Sequence, residues 1–294
     1  MSRLHADIAL LFAAAIWGLA FVFQKSAMSH IGPLTFLAAR STVAALALAP
    51  LAVREARQGH GTSGLGFLPV AVGGGIAFFL AGGLQQAGLV TATVTNTGFL
   101  TALYVVITPF IAWAWSNRRP SPFVWPAVVL SALGIWLLGG GTLSAFSAGD
   151  LLVAISAVFW AGHVVITGSA AQFRRPIGFT AVQFAIVAAL AGSSALSLET
   201  VTPSGLADAW LEIAYVGLLS SALTFTLLTV ALQHTPPSEA AVIVSTEVLF
   251  SALAAYLLLN EHLGAIGWVG AVMILSGTLL IQLGGVLAAR LRRI

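Results

Sequence analysis

Seven polar or aromatic side chains lie within long apolar stretches of the sequence, where a polar group is costly unless it faces a partner or a cavity. They combine a guanidinium, a carboxylic acid, an imidazole, an amide, a phenol and two indoles. Together they could bind a small, largely apolar molecule that is zwitterionic or cationic. These candidate binding residues are Trp17, Arg40, Asn96, Tyr104, Trp160, His163 and Glu247.

The two charged candidates each allow a functional and a structural interpretation. Arg40 could bind a carboxylate or act in gating, or its guanidinium could form an ion pair or bond backbone carbonyls at a helix end. Glu247 lies near the middle of an apolar stretch, where an unpartnered carboxyl group favours its protonated form. It could carry a proton or bind an amine, or it could make a neutral hydrogen bond between helices.

The uncharged candidates are placed by helical spacing. His163 follows Trp160 by three positions, so both lie on one helical face. Trp17 and Trp160 lie near mid-span, away from the interfaces where membrane tryptophans usually collect. These residues could line a cavity, or they could be satisfied by packing between helices. Asn96 and Tyr104 are eight residues apart and are predicted to share a face of one further helix.

The elements that must position these residues are membrane spans. Only 7% of the 294 residues are charged, against roughly 25% in ordinary soluble domains, and the mean hydropathy is +1.01. A helix needs about 20 apolar residues to cross the hydrocarbon core, and ten such runs occur. The predicted spans are residues 6–27, 34–53, 67–88, 92–115, 123–141, 149–170, 177–198, 208–231, 238–259 and 264–288. The sequence therefore predicts an all-α polytopic membrane protein.

The basic residues predict the orientation of these spans. Ten of the 12 lysines and arginines fall at the termini or in every second loop, and the intervening loops carry acidic residues. By the positive-inside rule, both termini are cytoplasmic. The pI of about 10 thus reflects topology, and no nucleic-acid partner is expected.

Shifting the chain by 143 residues aligns it with itself. The matches include residue types that apolar bias does not explain: Asp7 with Asp150, Trp17 with Trp160, Pro33 with Pro176, and Asn117 with Asn260. We predict two five-helix repeats, residues 1–141 and 142–294. Because five is odd, the repeats are inverted in the membrane. Many secondary transporters have this arrangement, with the substrate near the midplane between the repeats.

The repeats differ in their polar residues. Arg40 is matched by Gln183, and Tyr104 is matched by Glu247. A channel would favour rings of identical groups from a symmetric oligomer, so these unequal pairs argue against a symmetric pore. They favour a cargo whose two ends differ.

Several motifs resemble a known family. These are Trp17 and Trp160 in the first span of each half, Pro33 and Arg40 at the start of the second span, and segments 246–250 and 259–263. The chain is similar to the EamA family of the drug/metabolite transporter superfamily. Segment 96–101 makes it most similar to bacterial YddG-type exporters.

The resemblance implies a multi-pass protein of the bacterial inner membrane that exports small metabolites by alternating access. It implies aromatic and other neutral amino acids as substrates. The alternatives are a multidrug or other metabolite permease of the same fold, and an intramembrane enzyme. The expected partners are the substrate and the lipid bilayer. Protons are an open possibility, since Glu247 or His163 could titrate in a cavity.

Motifs for other chemistries are missing from the sequence. It contains no phosphate-binding loop, no metal-binding helix motif and no hydrolase nucleophile motif. We therefore expect no cofactor, no metal and no enzymatic activity.

Overall fold

The computed structural model describes residues 2–59, 66–117, 119–138, 147–259 and 264–291. Ten apolar helices occupy the ten predicted spans in this part of the chain, and their ends lie within about four residues of the predicted ones. They are α1 (Arg3–Ala27), α2 (Pro33–Arg57), α3 (Phe67–Leu89), α4 (Val94–Ser116), α5 (Val124–Leu138), α6 (Ala148–Ala170), α7 (Pro176–Leu198), α8 (Trp210–Ala231), α9 (Pro237–Leu259) and α10 (Ala265–Leu291).

The predicted all-helical fold is confirmed. Eight helices, all except α5 and α10, are long and apolar enough by composition to cross a membrane, and α5 and α10 are further apolar helices. No strand occurs within the described ranges. Residues 260–263, which include the predicted loop at Asn260, lie outside the described residues.

Local sequence explains where several helices begin. Pro33 and Pro176 occupy the first turn of α2 and α7, where a missing backbone N–H costs nothing. Ser147 and Asp150 form a capping box at the start of α6. The Ser147 hydroxyl accepts a hydrogen bond from the Asp150 backbone N–H at 3.1 Å. In return, the Asp150 carboxylate accepts one from the Ser147 N–H at 2.8 Å.

Helix packing follows an approximate twofold axis. Helices α2 and α7 pack against each other, as do α5 and α10, and each pair joins equivalent helices of the two repeats. Helix α1 contacts α8 and α9, while α6 contacts α3 and α4. These are the same contacts after the 143-residue shift. The chain is thus built from two inverted five-helix repeats.

The α5–α10 pair depends on two equivalent glycines. A Cβ atom at Gly134 would lie 2.6 Å from the Gly270 carbonyl oxygen, and one at Gly277 would lie 2.9 Å from the Ala127 carbonyl oxygen. Small residues at helix crossings in membranes allow this close approach of backbones. The twofold relation therefore extends to individual packing contacts.

The α2–α7 pair is held by carboxylates at both ends. Glu199, just after α7, accepts backbone hydrogen bonds from Leu34 and Thr35 of α2, both at 2.8 Å, and one from the Thr35 hydroxyl at 2.7 Å. Glu55 of α2 accepts backbone hydrogen bonds from Ile177 at 3.1 Å and Gly178 at 2.7 Å in α7. A carboxylate at a helix N-terminus satisfies free N–H groups and is favoured by the helix dipole.

Helices α4 and α9 are both broken at the same position of the repeat. The regular segments are Val94–Thr101 and Tyr104–Ser116 in α4, and Pro237–Val244 and Glu247–Leu259 in α9. At each break the backbone forms tighter bonds between residues three apart. The Val105 N–H donates to the Ala102 carbonyl at 3.0 Å, and the Val248 N–H donates to the Ser245 carbonyl at 3.2 Å. Each second segment begins at a predicted binding residue.

Helix α8 differs from its equivalent, α3. Residues Tyr215–Leu223 of α8 form a π-helix, whereas the equivalent residues 72–80 of α3 are α-helical. A π-helical turn is wider than an α-helical turn, and such turns often occur at functional sites. This segment lies against α1 and α2.

Candidate functional site

A cavity lies between the two repeats, about midway along the helices. The space that no atom fills is about 620 Å³ when the part open to solvent is counted, and the walls come from α1, α2, α3, α4, α6, α8 and α9. Six of the seven predicted binding residues line it: Trp17, Arg40, Tyr104, Trp160, His163 and Glu247. The fold therefore brings together side chains that are up to 230 residues apart in sequence.

Aromatic rings form one wall of the cavity. Phe225 of α8 lies between the two tryptophans, with its ring centroid 4.8 Å from Trp17 and 6.0 Å from Trp160. Phe78 of α3 packs behind them, 4.9 Å from Phe225 and 5.0 Å from Trp160. Stacked, tilted and edge-to-face contacts at these distances are favourable for aromatic pairs. This wall can bind an apolar group.

The two equivalent tryptophans differ in their hydrogen bonding. The Trp17 indole N–H donates to the Ser220 carbonyl at 2.9 Å, within the π-helical segment of α8. The buried Trp160 indole N–H has no hydrogen-bond partner among the described residues. A buried, unsatisfied donor is costly, so Trp160 can donate to a molecule in the cavity.

Arg40 is a buried cation whose charge no described carboxylate balances. Only 3% of its surface is exposed, and no ion pair joins it to any described residue. Its guanidinium carbon lies 5.6 Å from the Phe78 ring centroid and 6.0 Å from that of Phe36, within the range of cation–π attraction. Neither the ion pair nor the carbonyl bonds considered from the sequence are seen for Arg40 within the described ranges. The charge is therefore available to an anionic group in the cavity.

His163 forms a hydrogen bond with Gln183, the residue of the second repeat that is equivalent to Arg40. Its Nε2 lies 3.0 Å from Gln183 Oε1, and Thr167 donates to the His163 carbonyl at 2.8 Å. His163 Nδ1 is buried without a partner among the described residues. One side of the imidazole is thus held in place while the other nitrogen stays free.

Tyr104 and Glu247 meet at the two helix breaks. The Tyr104 hydroxyl faces the Glu247 carboxyl group. Neither this hydroxyl nor Glu247 Oε1 makes a hydrogen bond of normal geometry to any described residue. Both residues are buried, with 4% and 5% of their surfaces exposed. The approximate twofold axis therefore passes close to a phenol and a carboxyl group that retain hydrogen-bonding capacity.

Asn96 does not line the cavity, which corrects its placement beside Tyr104. Its side-chain amide donates to the Asp150 carboxylate at 3.2 Å, at the N-terminal ends of α4 and α6. The break at residues 102–103 separates Asn96 from Tyr104. The eight-residue spacing that predicts a shared face is valid only for a continuous helix. Asn96 thus has a contact that stabilises helix ends.

The two repeats each match the same family model. The model, described as the EamA-like transporter family, matches residues 4–140 and again residues 147–283. The chain belongs to the EamA-like transporter family. The two matched segments begin 143 residues apart, at the shift that the sequence repeat predicts. This EamA chain is therefore a multi-pass membrane transporter and not an enzyme.

Curated relatives support the assignment. An uncharacterised transporter of Archaeoglobus fulgidus is 28% identical, over 96% of this chain and 87% of its own length. The uncharacterised transporter YcxC of Bacillus subtilis is 27% identical, over 92% and 91%. The threonine/homoserine exporter RhtA of Escherichia coli K12 is 30% identical over 53% of this chain and 52% of its own length. The match to RhtA thus spans about half of each protein.

A solved crystal structure has the same fold. It aligns over 99% of both chains with a TM-score of 0.77 at 18% sequence identity. At that identity the likeness concerns the EamA fold and not its substrate.

Sequence reasoning missed several residues that line the cavity or pack against its aromatic wall. Phe225 and Phe78 are two of 17 phenylalanines, and nothing local distinguishes them. Gln85 lies near the end of α3, and its amide donates to the Thr101 hydroxyl at 2.8 Å beside the cavity. Gln24 of α1 also lines the cavity and leaves its Oε1 unpaired among the described residues. A glutamine near the middle or end of an apolar span is the signal that could have indicated these residues.

Proposed function

We propose that this EamA transporter exports small neutral amino acids, aromatic ones included, by alternating access through the cavity between its repeats. One observation carries the proposal: a single cavity combines an unpaired guanidinium, a carboxyl group and an aromatic wall. An amino acid offers a carboxylate, an ammonium group and a side chain. The three parts of the site match the three parts of the molecule.

Each proposed contact follows from the site geometry. Arg40 would bind the carboxylate through charge-assisted hydrogen bonds, which are the stronger class. Glu247, with Tyr104 beside it, would accept hydrogen bonds from the ammonium group. Trp17 and Trp160 would face the side chain, and His163 would add a polar contact. RhtA, which matches half of this chain, is named an exporter of threonine and homoserine, and both are neutral amino acids.

We also propose that the transporter lies in the bacterial inner membrane with both termini cytoplasmic. The described arginines outside the cavity support this orientation, because they gather at one end of the bundle with the N-terminus, whereas Lys25 lies at the opposite end. In that orientation the cavity would open alternately to the cytoplasm and to the outside as the two repeats rock against each other. The division of the chain at residues 141 and 142 stays a prediction.

The test is uptake by purified protein in liposomes. Radiolabelled phenylalanine, threonine, lysine and glutamate are compared with a cationic dye such as ethidium, with and without an imposed pH gradient. We expect saturable flux of phenylalanine and threonine above that of empty vesicles. Flux of the dye with none of any neutral amino acid would instead indicate a multidrug permease. Flux that does not respond to the gradient would contradict proton coupling.

A further inference from the structure

A second, open groove lies at the basic end of the bundle, away from the central cavity. It is formed by the C-terminal ends of α2 and α8 and the start of α7. Two exposed arginines, Arg54 and Arg174, line it together with His234. Neither arginine forms an ion pair with a described residue. The groove thus presents uncompensated positive charge.

The carboxylate in this groove does not neutralise those arginines. Glu55 accepts the backbone hydrogen bonds from Ile177 and Gly178 that cap α7. It also lies 4.0 Å from the Arg175 guanidinium. Its negative charge is therefore engaged by the helix N-terminus and Arg175. Arg54 and Arg174 remain free to bind an anion.

Polarity in the groove is ordered along the membrane normal. On each of the three helices, an apolar lining residue lies deeper in the bundle than a nearby polar one. Leu51 lies one turn below Arg54 in α2, Ile177 of α7 follows Arg174, which precedes that helix, and Val230 of α8 precedes His234, which follows that helix. Leu51 is 48% exposed, as a residue facing lipid would be. A free anion in water would not need this apolar floor.

The fold itself does not require this charge. The equivalent positions of the other repeat, at the opposite end of the bundle, hold Ser197 for Arg54, Ile31 for Arg174 and Thr91 for His234. None of these three residues is basic. The arginines are thus a feature of one end only, which is also the end that the positive-inside rule places in the cytoplasm.

We propose that this groove binds an anionic phospholipid, with the phosphate on Arg54 and Arg174 and the first acyl carbons on Leu51, Ile177 and Val230. Arginine suits this role because its planar fork donates two hydrogen bonds to one phosphate. Basic pockets between membrane helices on the cytoplasmic side are known to bind lipid headgroups. The bound lipid would bridge α2, α7 and α8, and so would stabilise the contact between the repeats.

The test is thermal unfolding of the delipidated full-length protein in detergent. Phosphatidylglycerol is added and compared with phosphatidylcholine and with soluble glycerol phosphate. The groove variant carries Arg54→Gln and Arg174→Gln. Its matched control carries Arg57→Gln and Arg119→Gln. The control removes the same charge from exposed arginines outside the groove. Arg54→Gln alone serves as a milder variant at an exposed helix end.

We expect phosphatidylglycerol to raise the melting temperature of the wild type and of the Arg57/Arg119 control equally. The rise should fall by at least about half in the groove variant and by an intermediate amount in Arg54→Gln. Equal rises in all variants, or equal loss in both double variants, would overturn the proposal. An effect of glycerol phosphate as large as that of the lipid would also overturn it, since a soluble anion would then suffice.

Discussion

Trp17 and Trp160 occupy equivalent positions of the two repeats, yet among the described residues the Trp17 indole has a hydrogen-bond partner and the Trp160 indole has none. The same inequality recurs around the cavity. Arg40 stands opposite Gln183 in the repeat alignment, and Tyr104 stands opposite Glu247. The repeats share the helix arrangement and the helix breaks around the cavity, whereas the polar side chains inside it and the π-helical segment of α8 differ. The symmetric helix arrangement of the two repeats therefore forms the cavity. The unequal polar residues make its two sides chemically different, which suits a substrate whose two ends differ.

The ends of the bundle show the same contrast. In repeat two, Asp150 binds the neutral amide of Asn96. The equivalent residues at the opposite end are Asp7 and Glu239, two acids, and Arg3 bridges them. Asp7 also accepts a hydrogen bond from Thr235 at 3.0 Å. The contact between Asp7 and Glu239 is therefore ionic, whereas the equivalent contact between Asp150 and Asn96 is one hydrogen bond from an amide.

The largest expected effect on transport comes from replacing Arg40 with glutamine, the residue found at the equivalent position 183 of the second repeat. Arg40→Gln should lower amino-acid transport by roughly 10- to 100-fold, since hydrogen bonds to charged groups contribute about 1.5–3 kcal/mol. Uptake by proteoliposomes, at matched protein content and melting temperature, measures it. Arg40→Lys keeps the charge and should retain more activity. Full uptake by Arg40→Gln would show that the unequal charge has no role in transport.

The next largest effect is on stability and concerns Glu199 and Glu55, the carboxylates that cap the N-termini of α2 and α7. Glu199 accepts three hydrogen bonds from α2, whereas Glu55 accepts two from α7. Glu199→Ala should therefore reduce stability by about 2–3 kcal/mol and Glu55→Ala by about 1–2 kcal/mol. Thermal unfolding in detergent compares the two variants. A larger loss for Glu55→Ala would contradict the assignment of the stronger cap.

A smaller effect is expected at the ionic network. Glu239→Gln removes the charge partner of Arg3, whose side chain is 38% exposed, so the loss should be about 1 kcal/mol. That loss should shrink in high salt, which screens partly exposed charges. Asn96→Ala, at the equivalent position, should show no such salt dependence. Melting curves at low and high salt separate the two contacts.

The smallest effect distinguishes the two tryptophans. Trp17→Phe removes the hydrogen bond to Ser220 and should reduce stability by about 1 kcal/mol. Trp160→Phe removes no hydrogen bond to a described residue, so its stability should change less, while the apparent KM for substrate should rise. Unfolding and uptake are measured on both variants. Identical stability losses would contradict the difference between the indoles.

Much of this structure could be predicted because its physical causes are local or repeated. Apolar run length sets the spans, and the 143-residue shift gives the inverted repeat. The free-energy cost of placing a charged side chain within the membrane identifies Arg40 and Glu247, since a polar group in an apolar span needs a cavity or a partner. These causes are visible in one sequence without any knowledge of how the helices cross.

The remainder depends on helix crossings and backbone detail. The breaks fall at Ala-Leu and Ser-Thr pairs, residues 102–103 and 245–246, which contain no glycine or proline to signal them. The sequence therefore predicts Asn96 beside Tyr104 on a continuous face that does not exist. Phe225 contacts the two tryptophans only through tertiary packing. The π-helical segment of α8, whose Ser220 carbonyl accepts the Trp17 hydrogen bond, has no recognisable sequence pattern.

The most direct test of the account is chemical blockage of the cavity. The chain has no cysteine, so single cysteines can be introduced at Ala241, which lines the cavity, and at Leu253 on the same helix, which is 51% exposed on the outer surface. Amino-acid uptake is measured before and after a charged, thiol-specific reagent, with labelling checked by mass. We predict that modification of Ala241→Cys stops transport, that substrate slows this modification, and that modified Leu253→Cys still transports. Full transport by completely modified Ala241→Cys would contradict the claim that substrate passes between the two repeats.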